Sequence, residues 1–199
     1  MKIIGLCGGS GSGKGAVSKI FLTLGIPSID TDAVYHDITS SNSACVDELA
    51  SFFGNIIIDS NGGLDRRALS GIVFGDNSQD KLERLNEIAH RHILDKTREI
   101  IKAYEANGVG AVIIDAPLLF ESGFDRECDF TIVVVADRDI RIKRILERDA
   151  IDLESAKRRI DSQITDDELK SKCDYIIENN GDLSSLEKAV KNIYENFNR

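Results

Sequence analysis

The residues best suited to do chemistry form a glycine-rich run, Gly8 to Gly15, near the amino terminus. The spacing G-x-x-x-x-G-K ends at Lys14, and it separates a short apolar run from a segment with helical periodicity. Glycines let the backbone turn tightly so that amide groups point inward, and a helix start adds a positive dipole end. The pattern predicts a loop for ATP phosphates, with contacts from Gly9, Gly11, Ser12, Gly13, Lys14, Gly15 and Ala16.

The two positions after the lysine carry no hydroxyl group. Phosphate loops usually have Ser or Thr there as a magnesium ligand, whereas this chain has Gly15 and Ala16. Mg²⁺, the cofactor expected with ATP, would then be held by ATP oxygens, water and acids elsewhere. Asp32 and Asp115 are the candidate metal ligands.

Acidic residues follow two other apolar runs. Asp30 and Asp32 come after the second run, and a carboxylate there could orient an acceptor hydroxyl and take its proton. The alternative is that one of them caps a helix that starts at Ala33. Asp115 follows a later run, where it is either a metal-binding acid or the cap of the next loop.

A basic helix is predicted over Asp139 to Arg148, with Arg141, Lys143, Arg144 and Arg148 as its cations. Arg144 and Arg148 are four residues apart and so share a face. Cations of this kind stabilise the charge that spreads over a transferring phosphoryl group. The alternative is a solvated basic face that pairs with nearby acids, which are Glu147, Asp149 and Glu154.

The elements that position these residues alternate between short apolar strands and helices. This pattern predicts an α/β fold, a P-loop NTPase-type parallel sheet of about five strands with helices on both faces. Ligands in such sheets bind beyond the carboxyl ends of the strands. The strands are expected at 2–7, 26–29, 111–115, 130–136 and 175–177, and residues 153–169 are expected to be helical. We expect one kinase domain over 1–199, with a helical substrate-binding insert at about 31–107 and a lid at about 148–170.

Composition excludes several other classes of protein. The net charge of −9 argues against general nucleic-acid binding. No apolar run approaches the ~20 residues that span a bilayer, so we expect a cytoplasmic protein without a membrane partner. Four scattered cysteines without a C-x-x-C pair argue against a zinc knuckle or a disulfide scaffold.

Over almost its whole length the chain resembles the dephospho-CoA kinase family, which completes coenzyme A synthesis. The matching segments are Gly8 to Lys14 (G-G-x-G-S-G-K), Ile29 to Asp32 (I-D-A-D), Leu64 to Leu69 (L-D-R-x-A-L), Pro117 to Glu121 (P-L-L-F-E), Arg144 to Asp149 (R-x-x-x-R-D) and Asp174 to Gly181 (D-x-x-I-x-N-x-G). The departures are Cys7 for Thr, Gly15-Ala16 for Ser-Thr, and His90-Arg91 for His-Pro.

The resemblance implies roles for these positions. Asp32 would be the base on the ribose 3′ hydroxyl of dephospho-CoA, the small-molecule partner besides ATP. Arg144, with Arg148, would act on the phosphates, and the lid would add Arg158 and Arg159. Arg66 would bind substrate phosphate or form a surface salt bridge, and His90 would line the substrate pocket or be structural. Asn179 and Gly181 would lie by the adenine.

Three other functions remain open. Adenylate or cytidylate kinases share the loop, and some place Gly after Lys, but a carboxylate base suits an acceptor hydroxyl better than an acceptor phosphate. A GTPase needs N-K-x-D after a strand, whereas Ser171 to Asp174 lacks the Asn and precedes one. The lack of a hydroxyl group at Gly15 and Ala16 would also be consistent with a protein that senses ATP without catalysing a reaction. We expect a monomer or a weak homo-oligomer.

Overall fold

The apolar runs of the sequence form a single five-stranded sheet in the computed structural model, which describes residues 1–74 and 78–197. The strand order is β2-β3-β1-β4-β5. β1 pairs in parallel with β3 and β4, and β4 pairs in parallel with β5. The strands are β1 (Lys2–Cys7), β2 (Ser28–Asp30), β3 (Ala111–Asp115), β4 (Phe130–Val135) and β5 (Tyr175–Glu178). The predicted parallel α/β sheet is confirmed.

Helices occupy most of the remaining described chain. They are α1 (Lys14–Thr23), α2 (Thr31–Thr39), α3 (Ala44–Phe53), α4 (Arg66–Val73), α5 (Gln79–Ala106), α6 (Arg138–Asp149), α7 (Leu153–Asp161), α8 (Asp166–Lys172) and α9 (Leu183–Phe197). Short 3-10 turns lie at Asn55–Ile57 and Phe124–Glu127. No helix within the described ranges is long and apolar enough to cross a membrane.

The chain divides into two compact units. The first, Met1–Ile29 with Tyr104–Arg199, contains the sheet and the helices α1 and α6 to α9. Its main core joins the sheet to α1 and α9 through side chains such as Ile4, Phe21 and Val190.

The second unit, Asp30–Ala103, is built from helices. Its buried side chains include Leu49, Ile57, Leu69 and Ile88, so it has an apolar core of its own.

The segment 153–169, predicted as helical, is divided into α7 and α8. The reason is local, because the hydroxyl of Thr165 accepts a hydrogen bond from the Glu168 amide and starts a new helix. Asp166, Asp167 and Glu168 fill the first turn of α8, where acidic side chains complement the helix dipole. Residues 162–165 therefore form a connection in the middle of the expected lid.

Candidate active site

The glycine-rich loop connects the end of β1 to the start of α1. Gly13 caps α1 with a left-handed φ of 102°, a conformation that favours glycine. A side chain at Gly13 would also overlap the amide of Asn179. No acidic side chain lies in the first turn of α1, so its positive end is not neutralised from within that turn. This is the local geometry that anion-binding loops require.

Arg144 and Asn179 hold the loop through its carbonyl groups. Arg144 Nη1 on α6 donates to the carbonyl oxygens of Gly11 and Ser12, both at 3.2 Å. Its Nη2 donates to the Asn179 carbonyl at 3.0 Å, and Asn179 Nδ2 donates to the Ser12 carbonyl at 2.8 Å. The structure therefore brings together two predicted site residues that are far apart in the sequence. Both contact the backbone of the loop.

A second group holds the tip of the loop at Ser10. Arg141, which is only 5% exposed, donates to the Ser10 carbonyl at 2.9 Å and pairs with Asp166 at 2.9 Å. The Gln163 side-chain oxygen accepts from the Ser10 amide at 2.9 Å and from Arg141 at 3.2 Å. Arg141 was predicted as a cation of the basic helix without a separate site role, and Gln163 was not predicted. The sequence did contain a signal for Arg141, because it lies one helical turn before Arg144 and therefore on the same face of the helix.

The lysine of the loop lies against the acid at the end of β3. Lys14 Nζ is 2.6 Å from Asp115 Oδ1, and the Ser18 hydroxyl donates to Asp115 Oδ2 at 3.1 Å. Lys14 and Ser18 are four residues apart on α1 and so face the same side. The contacts seen at Asp115 thus join it to α1. Ser18 was missed, although a hydroxyl one turn after the lysine was a usable signal.

Asp115 has the chemistry that a magnesium site needs. Mg²⁺ is usually held by one or two carboxylates together with substrate phosphates and water. Asp115 is a buried carboxylate beside the loop lysine, which fits that pattern. Within residues 1–74 and 78–197, no group of three or more His, Cys, Asp or Glu side chains could hold a metal by itself. At Gly15, no heavy atom of the described residues, apart from the adjacent residues and the backbone of α1, lies within 4 Å of the place that a Cβ would take, so a side chain has room there.

Asp30 and Asp32 take different positions at the start of α2, which begins at Thr31 rather than Ala33. Asp30 directly precedes the helix. The Asp30 carboxylate accepts from the amides of Asp32 and Ala33, at 2.9 and 3.3 Å, and is the helix cap. Asp32 lies in the exposed first turn. The capping alternative therefore applies to Asp30.

The other two residues predicted to bind the acceptor also lie in the helical unit. The Arg66 guanidinium stacks 5.7 Å from the centre of the Tyr35 ring and donates to the Thr39 hydroxyl at 3.3 Å. His90 is half-buried on α5. Arg91, which replaces the family's proline, continues α5 without a break and pairs with Glu48 of α3.

Arg148 differs from Arg144 although both are on α6. Arg148 Nε is 2.6 Å from Asp149, and its side chain is 62% exposed. Hydrogen bonds from Arg148 and then Arg159 lower the pKa of Asp149 to about 2. Arg148 therefore pairs with an acid at the surface, as in the alternative of a solvated basic face, whereas Arg144 contacts the loop. Gly181 lies in an exposed turn after β5.

Comparison with known proteins gives matches along almost the whole chain. A sequence model of dephospho-CoA kinase matches residues 2–185. The chain is 42% identical over 193 residues to a dephospho-CoA kinase of Fusobacterium nucleatum, with 97% of each chain covered. It is 35% identical over 194 residues to one of Arabidopsis thaliana, which covers 97% of this chain and 82% of the relative.

Solved structures agree with these matches. A dephospho-CoA kinase from Campylobacter jejuni is similar with a TM-score of 0.73 and 28% identity, over 99% of this chain and 98% of that one. A shikimate kinase from Bacteroides thetaiotaomicron has a TM-score of 0.57 at 16% identity, over 100% of this chain and 99% of that one, and shows a shared fold.

We expect Asn179→Ala to weaken ATP binding, because it leaves the buried Ser12 carbonyl without the Asn179 amide as donor. A loss of ~1 kcal/mol or more would raise the dissociation constant by ~5-fold or more, measured by titration calorimetry. Asn180→Ala is the matched control, since the Asn180 amide pairs with Asp137 instead. Equal ATP affinity in wild type and Asn179→Ala would contradict this role.

Proposed function

We propose catalytic and binding roles for the residues of this chain, which belongs to the dephospho-CoA kinase family. It is an ATP-dependent kinase that transfers the γ phosphoryl group of ATP to the ribose 3′ hydroxyl of dephospho-CoA, the last step of coenzyme A synthesis. The observation that supports this best is the family match over residues 2–185, which includes the complete glycine-rich loop.

The loop and Lys14 are proposed to bind the ATP phosphates. The loop amides and the start of α1 supply donors and positive potential, while Lys14 reaches the β and γ phosphates. The hydrogen bonds from Arg144 and Asn179 to the loop carbonyls support this role, because they fix the position of the loop. The proposed contacts come from Gly9, Gly11, Ser12, Gly13, Lys14, Gly15 and Ala16, and Gly181 is proposed near the adenine.

Asp32 is proposed to position the acceptor hydroxyl and to take its proton on a carboxylate oxygen. Because Asp30 caps α2, the helix start does not depend on Asp32 as its cap. Arg66 is proposed to bind a phosphate of dephospho-CoA, and its stacking on Tyr35 would hold the guanidinium plane in place. His90 is proposed to line the acceptor pocket within the insert at about 31–107.

Arg144 is proposed to neutralise the charge that develops on the transferring phosphoryl group, with Arg148 as a second cation. Its fixed hydrogen bonds to the loop support this, since a preorganised donor loses little entropy during the reaction. The segment at about 148–170, with Arg158 and Arg159, is proposed as a lid that excludes water.

Mg²⁺ is proposed to bind with ATP, with Asp115 and Asp32 as candidate protein ligands. When bound, the metal would neutralise phosphate oxygens. The contact between Lys14 and Asp115 supports this assignment, because it places the carboxylate beside the residue expected on those phosphates. We further propose a cytoplasmic protein that is a monomer or a weak homo-oligomer.

A substrate panel tests the function directly. Purified protein with ATP and Mg²⁺ is offered dephospho-CoA, AMP, CMP and shikimate, and ADP release and the phosphorylated products are measured. We expect kcat/KM for dephospho-CoA to exceed the others by at least ~100-fold, because the acceptor site would hydrogen-bond only the right substrate. Phosphorylation of AMP or CMP but not of dephospho-CoA would overturn the proposal, and ATP binding without any turnover would favour a sensor.

Asp32→Asn tests the proposed base. We expect kcat to fall ~10²- to 10⁴-fold, because an amide cannot accept the hydroxyl proton, while ATP binding is kept. Asp37→Asn removes the same charge from the exposed face of α2 and is the matched control. Near-normal turnover in Asp32→Asn would mean that another group is the base.

Gly15→Ser tests the missing hydroxyl. The space at Gly15 is open, so we expect the variant to fold and to reach half-maximal activity at a lower Mg²⁺ concentration. Replacing a helical glycine should also raise the free energy of unfolding by ~0.5 kcal/mol, measured in urea.

Gly71→Ser in α4 separates these two effects, because a Cβ at Gly71 also has open space. It should give a similar gain in stability without any change in the Mg²⁺ requirement. The same Mg²⁺ dependence in Gly15→Ser and wild type would contradict a ligand role at this position.

A further inference from the structure

Two cysteines that are 166 positions apart in the chain meet beside the phosphate loop. Cys7 ends β1 directly before Gly8, and Cys173 follows the last residue of α8. Their sulfur atoms are 3.5 Å apart, and both are free thiols. The spacing of the four cysteines does not predict this pair, because the contact depends on how α8 lies against the sheet.

We propose that Cys7 and Cys173 form a redox modification site, in which a peroxide converts the two thiols to an intramolecular disulfide. A disulfide bond is about 2.05 Å long, so the sulfur atoms would have to approach each other by roughly 1.5 Å. We expect side-chain rotation, with a small shift of the chain at Cys173, to close that distance.

The two thiols have different environments, which assigns the first step to Cys173. Cys7 is 1% exposed, whereas Cys173 is partly exposed and accessible to a small oxidant. A hydrogen bond from the Cys7 thiol lowers the pKa of Cys173. The same contact and burial raise the pKa of Cys7. Because the thiolate is the reactive form, Cys173 reacts first.

The reaction then proceeds in two balanced steps. The Cys173 thiolate attacks one oxygen of hydrogen peroxide, the O–O bond breaks, and sulfenic acid and hydroxide form. The Cys7 sulfur then attacks the Cys173 sulfur, an S–S bond forms, and the hydroxyl group leaves as water with the Cys7 proton. Both sulfur atoms are oxidised and both oxygen atoms of the peroxide are reduced.

The disulfide would act on the phosphate loop through α8. The first residue of α8, Asp166, pairs with Arg141, which donates to the Ser10 carbonyl at the loop tip. Cys173, at the other end of the helix, would be bonded to the residue that precedes the loop. Both ends of α8 would then be tied to the loop, and the shift needed to close the S–S bond would be transmitted to it. We therefore expect the oxidised protein to bind ATP more weakly.

The first test counts thiols. The purified full chain is treated with hydrogen peroxide, denatured, alkylated and analysed by intact mass and peptide mapping. We expect two of the four thiols to be lost in wild type, and two of the three that remain in the control Cys128→Ser, with a cross-link between Cys7 and Cys173 in both. Cys173→Ser should give no cross-link at Cys7. Four alkylated thiols in oxidised wild type, or a different cross-linked pair, would overturn the proposal.

The second test measures ATP binding by calorimetry before and after oxidation. We expect the dissociation constant to rise by ~5-fold or more, as for an ordinary coupling between two sites, and to return to its starting value with dithiothreitol. Cys173→Ser should show no change. Equal affinity in the reduced and cross-linked forms would overturn the coupling to the loop. This part depends on the proposed ATP-binding role, whereas the thiol count does not depend on any kinase activity.

Discussion

A backbone loop that turns its amide groups toward an anion turns carbonyl groups away from it, and those carbonyls need donors of their own. In this chain Arg144 and Asn179 supply the donors for Gly11 and Ser12, and Arg141 supplies one for Ser10. α6 and the residue that follows β5 therefore help to hold the glycine-rich loop, through contacts with its carbonyl groups. The position of the loop depends on these long-range hydrogen bonds as much as on its glycines.

The charged side chains that contact the tip of the loop also depend on one another. Arg141 is buried, and a buried guanidinium is stable only where its charge is paired and its donors are satisfied. Asp166 provides the charge, while Ser10 and Gln163 provide the remaining acceptors. The connection between α7 and α8 is thus attached to the loop tip in this structure. Any lid movement of that segment has to exchange these hydrogen bonds for others.

Most features that are local in sequence could be predicted, and those that depend on distant contacts could not. The glycine spacing located the loop and Lys14, and alternating apolar runs located the five strands to within two residues at each end. The split between α7 and α8 was missed although Thr165 is a local helix cap. The contacts of Lys14 and Ser18 with Asp115 join residues about a hundred positions apart, for which spacing carries no information.

The two acids at the start of α2 belong to one sequence motif that has two interpretations, and the structure distinguishes between them. An Asp-x-Asp sequence before a helix satisfies both a capping pattern and a catalytic one, and the sequence alone leaves both open. The cap needs a carboxylate on the second and third amides of the helix, which only Asp30 of the two provides. The carboxylate of Asp32 lies one position inside the first turn, where it complements the helix dipole. Asp30 keeps the cap of α2 when the charge of Asp32 is removed, so a large loss of turnover in such a variant would report on chemistry.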